Sequence, residues 1–115
     1  MSQIQILHNP RCSKSRQTLA LLEDKGIQPE VIQYLKTPLD KNQLISLKQK
    51  LGVDSVRQMM RVKESVYKSL ELSEASEQQL LEAVTENPVL LERPVVINGD
   101  DARIGRPPEK VLEIL

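Results

Sequence analysis

The sequence predicts an α/β fold: a three-layer arrangement with a mixed four-stranded sheet and a helical insertion over about residues 38–88. Three observations predict it. Strand, helix and strand signals follow one another before Leu35, the middle third carries helix signals alone, and the last third opens on a hairpin signal. Strands alternating with a helix imply a parallel pair, whereas a hairpin adds antiparallel neighbours, so the sheet they share is mixed.

The elements follow in order. Residues 3–7 alternate polar and apolar and then meet His8-Asn9-Pro10, so a first strand ends at a loop. From about Ser13 an apolar stripe through Leu19 and Leu22 runs to Lys25-Gly26, where glycine supplies a left-handed C-terminal residue. Val31 to Leu35 reads as a second strand, completing a βαβ unit with a right-handed crossover. Asp40 with Gln43 forms a capping-box pattern before Leu44, Leu47 and Leu51, and Gly52 ends that helix. Short helices follow around Ser55 to Met60 and Lys63 to Leu70. Ser76 with Gln79 starts another, which Asn87-Pro88 stops. Pro94 precedes Val95-Val96-Ile97, Asn98-Gly99 turns the chain into Ala102-Arg103-Ile104, and Pro107-Pro108 suits the first turn of a last helix ending at Leu115. No repeat or flexible linker interrupts residues 1–115, so they are read as a single domain with the insertion packed on the sheet.

Composition narrows the function. Sixteen basic and 16 acidic side chains cancel, so no global field draws nucleic acid or an anionic membrane, and any anion site is local. Two tyrosines, with no tryptophan or phenylalanine, leave few platforms for stacking bases. Met1 leads directly into the first strand without a signal-peptide pattern, and no apolar run spans a bilayer, so a cytoplasmic location is expected. One cysteine excludes an internal disulfide framework.

That cysteine, Cys12, is the candidate nucleophile. A free thiol with a pKa of about 8.5 is only a few per cent ionised at neutral pH, and a helix N-terminus with nearby cations favours the reactive anion. Cys12 lies between a strand and a helix start, among Arg11, Lys14 and Arg16, whereas inert cysteines sit in apolar runs. Ser15, one helical turn on, is placed to donate its hydroxyl to the sulfur or to serve as an ordinary first-turn serine. His8 precedes Cys12 by four positions, but Pro10 breaks a continuous helix and no second thiol or histidine completes a metal site. Electrostatic or hydrogen-bond tuning of the sulfur is the expected role of His8. A C-x5-R anion loop is ruled out by Thr18, so oxyanion ligands must come from elsewhere. Arg61, Arg93 and Arg106 are the candidates; each alone reads as a surface charge, but Arg93 and Arg106 flank the hairpin that should lie beside the first strand. Guanidinium forks match the paired oxygens of a tetrahedral oxyanion.

The order of elements, with Cys12 at the first helix N-terminus and Pro94 before the third strand, is the thioredoxin-like arrangement, in which that proline is typically cis and faces the cysteine. His8-Asn9-Pro10-x-Cys12-x-x-Ser15-Arg16, then Arg61, Glu64 and Tyr67 in R-x-x-E-x-x-Y, then Arg93-Pro94 and Gly105-Arg106-Pro107, resembles the glutaredoxin-dependent arsenate reductase (ArsC) family over essentially the full length. The resemblance implies a thioredoxin-like fold with a helical insertion. It makes Cys12 the nucleophile, Arg61, Arg93 and Arg106 the oxyanion ligands, and His8 and Ser15 modulators of the thiolate. It further implies arsenate as substrate, glutathione as co-substrate, glutaredoxin as partner and no bound cofactor, metal, nucleic acid or membrane. With an end at Leu115 and with Arg11 and Ser13-Lys14 in its loop, the pattern looks closer to a short housekeeping branch of that family. Two other readings stand beside it. One is a thiol oxidoreductase for another small substrate, and the other a non-catalytic regulator resembling Spx, against which Ser15 replaces the second cysteine of a C-x-x-C switch.

Overall fold

The computed structural model describes residues 4–115, so the expectations for Met1 and for Gln3 in the first strand lie outside the described residues. By its internal contacts the chain divides into two compact units: residues up to Thr37 with Arg93–Leu115, and Pro38–Glu92. No helix among the described residues is long and apolar enough to cross a membrane.

The first unit holds the sheet. Its elements are β1 (Gln5–Leu7), α1 (Ser13–Asp24), β2 (Glu30–Ile32), β3 (Val95–Asn98) and β4 (Asp101–Ile104), closed by a 3₁₀ helix at Pro108–Ile114. Strand order is β2-β1-β3-β4. β1 runs parallel to β2, with Ile6 beside Val31, and antiparallel to β3, with Ile6 opposite Val96; β3 and β4 are antiparallel. The sheet is therefore mixed and four-stranded, as expected.

Side chains alternate across these strands, so Ile6 and Val96 share one face. They are fully buried with Leu22 of α1 and Val111 of the 3₁₀ helix, and Ile4, Leu19 and Ile114 pack around them. Complete burial of such side chains contributes about 1.5–3 kcal/mol each, which fixes α1 and hence the residue at its N-terminus. The C-terminus of α1 is also well determined: Gly26, at φ 77°, lets its own N–H reach Glu23 O and the Ile27 N–H reach Leu22 O. Those two bonds form a Schellman motif.

Three features differ from the sequence reading. β2 ends at Ile32 instead of Leu35, because β1 offers three partners and the chain then folds into a turn, with Lys36 and Thr37 N–H groups both on Gln33 O. The hairpin turn falls at Gly99-Asp100, one residue later than Asn98-Gly99, since Asn98 still pairs with Asp101 and Gly99 carries the positive φ of 63°. A two-residue turn with positive φ at its first centre alone needs glycine there, and asparagine is then free to remain in the strand. The last helix is 3₁₀ throughout its seven residues, and Asn98 Nδ2 donates to Ile114 O near its end.

The second unit is helical: α2 (Lys41–Leu51), a 3₁₀ turn at Val56–Met59, α3 (Ser65–Ser69), a 3₁₀ turn at Leu72–Glu74, α4 (Glu77–Glu86) and a 3₁₀ turn at Pro88–Leu90. Both anticipated capping boxes form, at Asp40 with Gln43 and at Ser76 with Gln79, and a third appears at Ser55 with Gln58. Glu77 in the first turn of α4 accepts from the Ser55 hydroxyl at 2.6 Å and from Val56 N–H at 2.9 Å. The Ser55 hydrogen bond, above all, holds its carboxyl below the usual carboxylate range.

Candidate active site

Cys12 is the N-cap of α1, with extended backbone (φ −93°, ψ 124°), and its side chain makes no capping hydrogen bond. The thiol is thereby left for other partners while the first-turn N–H groups of α1 begin beside it. The loop ahead of it is tied down at each residue. His8 N–H donates to Ile32 O, prolonging the β1–β2 ladder, and Cys12 N–H donates to Asn9 O at 3.0 Å. Asn9 Oδ1 accepts from Arg11 N–H, and Arg16 Nη1 reaches back to Pro10 O at 2.9 Å. Asn9 and Arg16 are thus organising residues that the sequence reading treated only as context. An Asn-Pro pair ahead of a helix was the available signal for an Asx turn.

Ser15 is fully buried, and its Oγ accepts the Asn9 N–H at 3.0 Å while lying 2.7 Å from His8 Nδ1. A hydroxyl has one proton, so a proton given to His8 is withheld from Cys12; which partner donates follows the imidazole tautomer. Ser15, read either as a donor to the sulfur or as an ordinary first-turn serine, pairs instead with His8. Burial, and then the positive charge of Arg16, push His8 below the ordinary histidine range, so the ring is neutral near pH 7.

Arg106 brings the opposite wall to the cysteine. Its Nη2 donates to Cys12 Sγ at 3.7 Å and its Nε to Arg93 O at 2.8 Å. Arg93-Pro94 and Arg106-Pro107 are both cis. Gly105 N–H donates to Pro94 O at 2.8 Å, which clamps the two arginine–proline segments together. A Cβ on Gly105 would lie 2.7 Å from Thr18 Oγ1 and 2.9 Å from Pro94 Cγ, so only glycine permits this approach of β4 to α1. Arg93 Nε and Nη1 are buried without a hydrogen-bond partner. Buried guanidinium donors left unmade are costly, and an anion is the group that satisfies them.

The structure therefore brings Cys12, Arg93, Arg106, His8 and Ser15 into one unit. Arg61 belongs to the other unit, where it follows the Val56–Met59 turn, donates its N–H to Leu90 O and forms an ion pair with Glu64. Tyr67 of the same R-x-x-E-x-x-Y motif is spent on structure, since Arg57 Nε donates to its hydroxyl at 3.0 Å. A cleft of about 630 Å³ in that unit is lined by Val62, Tyr67 and Leu72 with Glu71 and Glu74. Its two carboxylates outnumber the one cation there, Lys68, and so disfavour an oxyanion. Among the described residues no three His, Cys, Asp or Glu side chains gather at metal-ligand spacing.

A cysteine at a helix N-cap facing a cis-proline segment and an arginine has clear relatives. Residues 7–114 match the ArsC family. The chain belongs to the ArsC family. An arsenate reductase of Haemophilus influenzae is 59% identical over 112 residues, covering 96% of this chain and 97% of that protein. Among solved structures, an arsenate reductase from Vibrio cholerae superposes with a TM-score of 0.96 at 53% identity, covering 99% of this chain and 98% of the other. A putative arsenate reductase from Yersinia pestis gives 0.94 at 54% identity, covering 97% and 100%. The fold is the thioredoxin-like α/β fold of this family, as the order of elements implied.

Proposed function

We propose that this chain is an arsenate reductase that works through a covalent Cys12 adduct and takes its electrons from glutathione and glutaredoxin. The observation that carries the reading is a thiol 3.7 Å from the Arg106 guanidinium, supported by an Arg93 in the same unit whose Nε and Nη1 are buried without partners. That constellation offers a nucleophile and two fixed positive charges to one small oxyanion. Arg61 is the third ligand in this reading, on the strength of its motif.

The chemistry balances with one protein thiol. Cys12 attacks pentavalent arsenic, an S–As bond forms, and one oxygen leaves as water. The thiol of glutathione displaces a second oxygen, again as water, and arsenic is still pentavalent. A glutaredoxin thiolate then attacks the glutathione sulfur. The electron pair of the As–S bond stays on arsenic, which becomes trivalent, while the two sulfurs are oxidised to a mixed disulfide. Water cleaves the remaining Cys12–As bond to release arsenite and restore the thiol. The arginines hold the oxyanion in line and offset its charge without reorganising during the reaction. With a single cysteine in the chain, no internal thiol can supply the electrons.

The test is a coupled assay of the pure protein with arsenate, glutathione, glutaredoxin and an NADPH-driven recycling system. Arsenite formation that needs both thiol components and disappears in Cys12→Ala is expected; a wild-type protein giving no arsenite under these conditions overturns the reading.

A further inference from the structure

A second cleft, of about 210 Å³, opens between the His8–Arg11 loop and the turn that follows β2, with Gln33, Leu35 and Lys36 on its other wall. It adjoins the loop that ends in Cys12, yet the proposed oxyanion ligands do not line it. Its two cations, Arg11 and Lys36, come one from each wall and are exposed. Neither side chain has an ion pair or hydrogen bond among the described residues, and no carboxylate lines the cleft. Pro10 and Leu35 supply apolar surface between them, and Leu35 is 40% exposed.

From this the geometry points to a subsite for glutathione: the Arg11 guanidinium and the Lys36 ammonium take its two terminal carboxylates, and Pro10 and Leu35 carry its middle, with the thiol directed along the loop toward Cys12. The assignment rests on the reductase reading, because that reading requires an external thiol to reach an adduct on Cys12. Size and charge select the class. Pockets that bury drug-sized ligands occupy about 300–1,000 Å³, so this cleft suits part of a tripeptide and is too small for a dinucleotide reductant. Two separated cations fit a long molecule with a carboxylate at each end better than a compact tetrahedral anion, and an Arg fork binds a carboxylate through both oxygens.

The experiment uses S-methylglutathione, whose sulfur cannot react, titrated into the isotope-labelled protein in the absence of arsenate. Amide shifts concentrated at residues 8–11 and 33–36 are expected, with binding weakened about tenfold in the Arg11→Glu, Lys36→Glu double variant. In turnover Lys36→Glu alone, which leaves the residue beside Cys12 unchanged, should raise the glutathione KM several-fold with the arsenate KM held within twofold. Shifts elsewhere, or equal binding by the double variant, overturn the subsite. Because the titration involves no turnover, its failure is distinguishable from failure of the reductase reading, which appears as wild-type protein that makes no arsenite.

Discussion

His8 is the chain's single histidine, 6% exposed and pressed against Ser15 Oγ, and its burial has a measurable consequence. Its pKa is lowered in the folded state, so below the ordinary value of 6.5 the unfolded chain binds the proton that the folded one refuses. Stability is therefore fully present above pH 6.5 and declines as pH falls through the lowered folded value. Urea midpoints measured in steps downward from pH 7.5 should fall in wild type and stay flatter in His8→Gln; equal slopes would show that the ring is not buried neutral. Arg93 makes the complementary case at the same scale. Its unpartnered donors gain charge-assisted hydrogen bonds of about 1.5–3 kcal/mol each when an oxyanion binds, so Arg93→Ala should raise the arsenate KM by roughly ten- to a hundredfold. The candidacy of Cys12 as nucleophile and of Arg61, Arg93 and Arg106 as oxyanion ligands was legible from residue type and position. The partner of Ser15 was not, because helical periodicity places Ser15 one turn past Cys12 but does not say that the loop returns His8 to it.

Elements with local signals matched the sequence closely. The boxes at Asp40 and Ser76 formed because a side chain that accepts three residues ahead needs only its own turn. Asp40→Ala should cost about 1 kcal/mol of stability, seen as a lower urea midpoint, and Asp40→Asn should cost much less. Elements whose ends depend on a distant partner shifted: β2 stops where β1 runs out, and the hairpin turn moved to the residue that satisfies the β3–β4 register. Gly105 belongs to this second class. Its Gly-Arg-Pro context marks it as part of a motif, but its reason lies in Thr18 and Pro94. Gly105→Ala should destabilise by about 1–3 kcal/mol and lower arsenate kcat/KM, since the added methyl separates the segments that carry Arg93 and Arg106 from α1. A variant with unchanged thermal midpoint and kinetics would refute that account.

At the scale of the molecule, one thiol and a net charge of zero shape what the protein can do. With arsenate but no external thiol it should make at most one adduct per chain and release no arsenite; intact-protein mass spectrometry and arsenite analysis of the same sample check both. The sequence by itself determined the order of strands and helices, the helix caps, the one thiol that is the candidate nucleophile and the lack of a second cysteine to serve it. These are properties of single residues or of contacts within a few positions. Tertiary structure alone decided the strand register, the burial of His8, the contact of Arg106 with Cys12 across 94 positions, and the orphaned donors of Arg93. Those depend on which residues long-range packing brings together, and no local pattern encodes a distance between segments so far apart in the chain.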